Sequence, residues 1–339
     1  MTTPLDLTQC VKDVAHNKGE TFPEFVTTTP CFFDPRQLKI ISWNVNGINA
    51  RGFETIVPGT EIYEILGRYN PDILCIQETK CSTSAGSERT KNQKEKLQSN
   101  INNALRKWGY LYNDWNGCKY RGGLHGTAIF SKIEPIKIYH NLYRFDEPEE
   151  EGRILQVEFK DFRLLNLYVP NSGGGDSKRK EWDKRLYDFM EDSSNNKPLI
   201  VCGDLNVSPT PLDYFPGFKG SPGTKVFEQQ AFSKFLSLGY LDVMREIHPH
   251  EIIYTEWPTQ SVGMDPRKTK SKEKPYGEGM RLDYFLIPGY LKTTVYMCQP
   301  LIISTQSKII NSDHAAIVLV LRKMDFEALK LLDHSTLLL

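Results

Sequence analysis

No apolar run in this 339-residue chain approaches the length of about 18 residues that a helical membrane span needs, so an integral membrane protein of that kind is excluded. Net charge is also missing, with 42 Lys and Arg against 42 Asp and Glu. The balance is uneven along the chain. Residues 1–37 carry five acids against three bases and residues 324–339 three against one, which leaves the stretch between them at +4. That mild excess permits a nucleic-acid partner without demanding one. The seven cysteines form an odd set with no CxxC pair. A disulfide framework or a paired-thiolate zinc site is therefore not expected, and Cys75 and Cys202, inside apolar runs, read as small buried thiols in a reducing compartment. The opening MTTPLDLTQC lacks the basic and apolar regions of a signal peptide, and it has no basic cluster that would address a nucleus.

What remains is an ordinary soluble composition, 39% hydrophobic and 25% charged, long enough to bury a sizeable core. Residues 1–37 are polar, punctuated by Thr and Pro, and read as a flexible extension. A body over 38–323 follows, in which strand and helix patterns alternate, and then a tail over 324–339 that could form a short amphipathic helix. Strands are predicted at 38–43, 72–77, 126–131, 153–159, 163–169, 198–202, 252–257, 282–287 and 315–321. Helical stripes run through Ile62, Ile65, Leu66 and Tyr69, through Leu97, Ile101, Leu105 and Trp108, and through Trp182, Leu186 and Phe189. Residues 260–279 have no period and read as a loop.

The chemistry gathers at strand ends. Glu78 closes the run ILCIQ, where a carboxylate is either an ion-pair partner or a ligand for Mg²⁺, which takes one or two carboxylates plus water and phosphate oxygens. Asp204 follows LIVCG and could take a proton from water, with Asn206 two residues on, although an Asx turn explains the pair equally well. Asp283 could hold the tautomer of His314, provided that their strands lie side by side. One such placement is easily accidental; acids, amides and one His at five strand ends are what metal-assisted attack on phosphate needs.

Six motifs carry a resemblance: SWNVNGI at 42–48, ILCIQETK at 73–80, LYVPNSG at 167–173, LIVCGDLNV at 199–207, RLDYFLIP at 281–288 and SDHAAI at 312–317. In order and spacing they resemble the exonuclease III family of apurinic/apyrimidinic (AP) endonucleases, within the wider endonuclease/exonuclease/phosphatase superfamily. The resemblance implies a four-layered α/β sandwich of DNase I-like type, two mixed β-sheets flanked by helices. It implies an Mg²⁺-dependent enzyme, with Mn²⁺ able to substitute, that cuts duplex DNA on the 5′ side of abasic sites and trims blocked 3′ ends. Such an enzyme would be monomeric, independent of membranes, and nuclear or in another DNA-containing compartment, or cytoplasmic if prokaryotic or viral. By the same resemblance Glu78, Asn46, Asp313 and Asn44 form the metal region, while Asp204 activates water and Asn206 positions it. His314, held by Asp283, binds the scissile phosphate together with Tyr168 and Asn171. Arg281, Met280, Leu282, Trp257, Glu256 and Lys80 are then expected to touch substrate.

Departures from the family pattern carry their own expectations. Asn46 stands where eukaryotic members often have Asp, which bears on metal number or affinity. Met280 and Glu256 stand where aromatics often pack against the abasic sugar; a Glu fits an apolar pocket cheaply only if it turns to solvent, so a looser pocket with some 3′-exonuclease or damaged-base activity is expected. Ile41 occupies the place of a redox-linked Cys of vertebrate relatives, which leaves such a role unsupported. Gly173, Gly174 and Gly175 replace a groove-entering Arg; Lys178, Arg179 and Lys180 then either supply phosphate contacts or form a plain basic helix start.

Overall fold

The active edge of the molecule is set by strand direction. In the structure, a computed structural model that describes residues 36–142, 150–193, 197–257, 277–301 and 312–323, two six-stranded sheets face each other. The first contains β1 (Gln37–Asn44), β2 (Ile73–Gln77), β3 (Tyr112–Asn116), β4 (Thr127–Ser131), β11 (Val295–Leu301) and β12 (Ala316–Arg322), in the order β11-β12-β1-β2-β4-β3. The second contains β5 (Lys137–Tyr139), β6 (Ile154–Glu158), β7 (Arg163–Tyr168), β8 (Leu199–Asp204), β9 (Tyr240–Asp242) and β10 (Asp283–Pro288), in the order β5-β6-β7-β8-β10-β9. Both sheets are mixed. β1 runs parallel to β2, and β7 parallel to β8, while their other partners are antiparallel.

A parallel pair needs a crossover, and the helices supply it. α1 (Glu61–Tyr69) lies between β1 and β2, and α3 (Asp176–Ser193) between β7 and β8; α2 (Glu88–Arg106), α4 (Val226–Ser237) and the short α5 (Val243–Ile247) complete the set. Local chemistry ends these helices. The Thr60 hydroxyl accepts from the Tyr63 N–H at the start of α1, Asn70 closes it in the left-handed region at φ 45°, and the Ser87 hydroxyl accepts from the Thr90 N–H at the start of α2.

Side chains alternate across each strand and so build three apolar layers. Ile40, Cys75, Leu155, Ile200, Cys202, Phe285 and Ile317 meet between the sheets. Ile41, Trp43 and Ile76 face the other way onto Ile62, Ile65 and Ile101 of α1 and α2. Leu165, Leu167 and Val201 pack on Leu186, Phe189 and Phe232 of α3 and α4. The architecture is the expected four-layered sandwich, and the three helical stripes face its core. Cys75 and Cys202 are both buried, and the five cysteines among the described residues are free.

The structure also corrects the strand reading. The stretch at 252–257 is no strand; it forms only single bridges through Glu256 to Met280 and His314. β3, β5, β9 and β11 were unpredicted, the first because YNDWN has the polarity of a half-covered edge. Residues 1–35 of the 1–37 extension, most of the 260–279 loop and the 324–339 tail lie outside the described residues, and Gln37, read as part of the extension, already belongs to β1.

A polar tie locks the two sheets together beneath their shared edge. Gln77 Nε2 donates to Asn166 Oδ1 (2.7 Å) and to Ser42 Oγ (3.0 Å), and Asn166 Nδ2 donates to the Ala128 carbonyl (3.0 Å). Gln77 and Asn166 are fully buried, where an unpaired amide is costly, so the sheets are held in one register.

Candidate phosphodiesterase site

The four parallel strands all end at one edge of the sandwich. Asn44 ends β1, Gln77 ends β2 with Glu78 next, Tyr168 ends β7 and Asp204 ends β8; antiparallel β10 begins there with Asp283, and His314 precedes β12. Strand register puts Tyr168 beside Asp204 and Asp204 beside Asp283, one row across the second sheet.

Sharp turns aim these side chains. Among the described residues six non-glycine residues have positive φ, and apart from Asn70 they all lie at this edge: Asn46 (44°), Glu78 (49°), Lys80 (51°), His125 (48°) and Asn206 (49°). Each left-handed residue with a Cβ costs about 1–2 kcal/mol, which the surrounding hydrogen bonds must offset. Gly203 precedes Asp204 at φ 129°, and a Cβ there would collide with the Leu167 carbonyl, so the GD pair permits no other first residue.

Asn44 joins the two sheets. Its Nδ2 donates to Glu78 Oε1 (3.2 Å) and to Asp204 Oδ2 (3.0 Å), and its Oδ1 accepts from the Asn46 N–H (3.0 Å). The Lys80 ammonium bridges Glu78 Oε2 (3.0 Å) and Asn46 Oδ1, so these two oxygens converge on one point that accepts positive charge. Asn46 Nδ2 donates to Asp313 Oδ2 (2.9 Å). Burial pushes the Glu78 carboxyl up, but Lys80 and hydrogen bonds from Tyr168, Lys80 and Asn44 outweigh it and hold it below its ordinary value. Among the described residues no group of three or more His, Cys, Asp and Glu could hold a metal. A hard cation here would rely on Glu78, Asp313 and the amide oxygen of Asn46 with water and substrate, a donor set that suits Mg²⁺.

On the other side stands an acid–imidazole pair. His314 Nδ1 lies 2.8 Å from Asp283 Oδ2, and Nε2 lies 3.9 Å from Asp204 Oδ2. Burial would push His314 down, but Asp283, with Asp204 and Asp313 behind it, raises it well above its ordinary value. Burial pushes Asp204 up to about 7; Asp283 and Glu78 add to the rise, while His314 and the Asn206 N–H oppose it. The sequence reading requires their strands to lie side by side, and they do not: β10 and β12 belong to different sheets, and Asp283 and His314 meet across the edge between them. Leu282 and Asp283 both donate their N–H to the Thr255 hydroxyl (3.0 and 3.1 Å). Ser312 Oγ donates to the Asn44 carbonyl (2.7 Å) and accepts from the His314 N–H (3.2 Å).

The amides complete the site. Asn206 donates its N–H to Asp204 Oδ1 (2.9 Å) and its Nδ2 to the Val169 carbonyl (2.9 Å), and Asn171 Nδ2 donates to Asn206 Oδ1 (3.2 Å). Burial raises the Tyr168 hydroxyl, and Glu78 and Asp204 raise it further. The Arg153 guanidinium stacks 4.6 Å from the Tyr168 ring and donates to the Tyr168 carbonyl (3.1 Å). Sequence reasoning missed Arg153, His125, Thr255 and the Gln77–Asn166 tie. Gln77, polar at the close of an apolar run, and Asn166, polar inside one, offered a signal.

Three of the expected substrate contacts are buried in the scaffold. Arg281 is fully buried, donating Nε to Asp213 Oδ1 (2.7 Å) and Nη1 to Asp242 Oδ1 (3.0 Å) over the Tyr284 ring, so it braces the fold instead of reaching substrate. Leu282 is buried, and Trp257 is buried against Tyr254, Ala315 and Phe215. Glu256 is half-buried, its Oε2 has no hydrogen-bond partner among the described residues, and burial, with Asp313 and Asp283 adding and His314 opposing, raises the carboxyl to about 7. Met280 is half-buried, and its backbone pairs with Glu256 and Tyr214. Arg179 is not a surface phosphate contact either. It is buried between Asp183 (2.9 Å) and the carbonyls of Pro170 (3.1 Å), Leu205 (3.0 Å) and Asn206 (2.9 Å), tying the two Asn-bearing loops together.

Comparison with known proteins follows the same lines. Residues 41–305 match the endonuclease/exonuclease/phosphatase family. The DNA repair nuclease APEX1 of Danio rerio is 31% identical over 294 residues, covering 84% of this chain and 82% of that protein. The exodeoxyribonuclease of Bacillus subtilis (strain 168) is 28% identical over 290 residues, covering 84% of this chain and 99% of that protein. Among solved structures, an AP endonuclease from Archaeoglobus fulgidus superposes with a TM-score of 0.64 at 28% identity, covering 84% of this chain and 99% of that one.

Proposed function

The chain belongs to the endonuclease/exonuclease/phosphatase family, and on that premise we propose that it is an AP endonuclease, hydrolysing the phosphodiester 5′ to an abasic site in duplex DNA. Removal of 3′-blocking groups and 3′-terminal nucleotides accompanies this activity, in keeping with the exodeoxyribonuclease relative. Among the described residues no helix is long and apolar enough to cross a membrane.

The observation that carries this reading is the 3.9 Å approach of Asp204, a carboxyl raised toward neutrality, to His314, an imidazole held positive by Asp283. A phosphodiester anion repels an incoming nucleophile until donors and cations surround it. His314 Nε2 donates to a non-bridging phosphate oxygen, with Asn171 and Tyr168 beside it. Asp204, fixed by the Asn206 N–H and Asn44 Nδ2, orients a water and takes its proton. The water oxygen bonds to phosphorus as the bond to the neighbouring 3′ oxygen breaks; that oxygen gains a proton and leaves a 3′-hydroxyl opposite a 5′-deoxyribose phosphate. Positioned proton transfer of this kind contributes about 10²–10⁴-fold.

Glu78, Asn46 and Asp313 are the residues that would hold Mg²⁺, or Mn²⁺ in its place, with Asn44 orienting Glu78. Such an ion supplies positive charge to the phosphate and the departing oxygen. Lys80 would then yield its place between Glu78 and Asn46.

A duplex carrying one abasic site tests the proposal. Incision on its 5′ side with Mg²⁺ and none with EDTA is expected. An intact duplex under Mg²⁺, alongside cleavage of RNA or a phosphoinositide, would move the activity to another branch of the family.

A further inference from the structure

Arg153 is buried and out of reach of a phosphate, yet it holds Tyr168 through its backbone, its planar fork and its charge. The Arg153 carbonyl accepts from the Tyr168 N–H (2.9 Å), Nη1 donates to the Tyr168 carbonyl (3.1 Å), and the guanidinium carbon lies 4.6 Å from the centre of the Tyr168 ring. Register brings the two together. β6 and β7 run antiparallel with Ile154 opposite Leu167, so Arg153, one residue before β6, meets Tyr168, the last of β7. The guanidinium is fixed in turn from both sheets. Its Nε donates to the Glu151 carboxylate, which also takes the Lys178 ammonium from α3. Its Nη2 lies 3.1 Å from His125 Nε2. Burial, with the Arg153 charge next, pushes His125 down to about 4, which keeps the imidazole neutral and able to accept that hydrogen. The His125 ring lies 5.7 Å from the Tyr168 ring, and the His125 carbonyl accepts from the Lys80 N–H (2.8 Å) on the loop that carries Glu78.

A planar cation over one face of the ring and a bond to the residue's own carbonyl leave the Tyr168 side chain little choice of rotamer. The hydroxyl donates to Glu78, so the ring already points into the site. The charge has a second consequence. Burial, Glu78 and Asp204 all resist negative charge on the phenol oxygen, and Arg153 opposes them. A positive charge beside the ring therefore makes its O–H a stronger donor to an anion. Given the AP-endonuclease reading, on which this inference rests, we propose that Arg153, backed by His125 and Glu151, is a positioning residue for catalysis: it aims the Tyr168 hydroxyl at the scissile phosphate and strengthens it as a donor. The effect belongs to the chemical step more than to substrate binding, because the phosphate oxygens gain charge as the reaction proceeds.

A double-mutant cycle on Arg153 and Tyr168 tests this, with kcat and KM measured on a duplex carrying one abasic site. Tyr168→Phe, which keeps the ring and removes the hydroxyl, is expected to lower kcat by about 10²–10³-fold. Arg153→Met is expected to lower kcat by about tenfold or more, with KM within about threefold of the parent, since lost alignment falls on the chemical step. In the Tyr168→Phe background the same substitution is expected to change kcat by no more than about twofold, because no hydroxyl remains to be aimed. Arg153→Lys keeps a cation for Glu151 but loses the planar fork that spans ring and carbonyl, and it replaces the Met variant in the cycle if that variant fails to fold. Parental kcat in Tyr168→Phe or in the Arg153 variant, or a loss of equal size in both backgrounds, overturns the role of Arg153 and leaves the AP-endonuclease reading intact. Failure of the parent to incise the duplex with Mg²⁺ overturns that reading, and this inference with it.

Discussion

Asn44 reaches across the gap between the two sheets to Asp204, its Nδ2 lying 3.0 Å from Oδ2, while the same nitrogen holds Glu78 at 3.2 Å. One amide thus sets the separation between the carboxylate read as the base and the one read as the metal ligand. Neither acid can shift independently, which is the kind of preorganisation on which phosphate chemistry depends.

Asn44→Ala removes that shared donor while leaving both carboxylates in place. Loss of positioning of this kind costs about 10²-fold in rate. The expected result is a fall of that order in kcat on abasic DNA, with KM little changed and near-UV circular dichroism like that of the parent. Unimpaired kcat would show that the acids are positioned by their own strands alone.

His314 and Asp283 should behave as one unit, since the carboxylate acts through the imidazole at 2.8 Å. His314→Ala is expected to lower kcat by at least about 10²–10³-fold, with DNA affinity kept within a few-fold. Adding Asp283→Asn to His314→Ala should then cost little more, because residues that work together are not additive. A further drop equal to the single Asp283→Asn effect would assign Asp283 a separate task.

Arg179 separates a structural from a nucleic-acid role. Buried and bonded to Asp183 and three carbonyls, its replacement by Met should destabilise the fold by about 3–5 kcal/mol, read from urea unfolding. The salt dependence of DNA binding should be unaffected, whereas loss of a phosphate contact would reduce the slope by about one.

Glu151 gives the protein an acid-sensitive anchor behind Tyr168. Although burial pushes its carboxyl up, hydrogen bonds from Lys178 and Arg153 and their charges dominate, lowering it from 4.5 to about 2. A carboxylate depressed in the fold stabilises fully above its unfolded value, and the contribution is lost as pH falls from about 4.5 through about 2. Glu151→Gln should therefore be less stable than the parent at pH 7, with the gap narrowing steadily between pH 5 and pH 3. A gap independent of pH would mean that the substitution acts through packing.

The residue types that carry the chemistry, and the strand ends that carry them, were legible in the chain itself. Continuous apolar runs closed by Asn44, Glu78 and Asp204, and His314 beside another, can be read locally, because apolar runs and chain punctuation are short-range properties. The three stripes that became α1, α2 and α3 were legible for the same reason. Edge strands such as β3 and β9 were not, since YNDWN is polar along most of its length and YLD is too short for a period to show. Which side chains face the site was decided only by tertiary structure. Arg281 and Arg179 look like surface cations in sequence, yet each is enclosed by acids and carbonyls from segments distant in the chain: Asp213 and Asp242 for one, Leu205 and Asn206 for the other. Glu256 shows the reverse. As a sequence position it called for solvent, and it is half-buried, with the bridges to Met280 and His314 holding inside an oxygen that has no partner among the described residues. Burial is a property of long-range packing, and whether a charged group contacts substrate or supports the scaffold depends on the partners that packing brings to it.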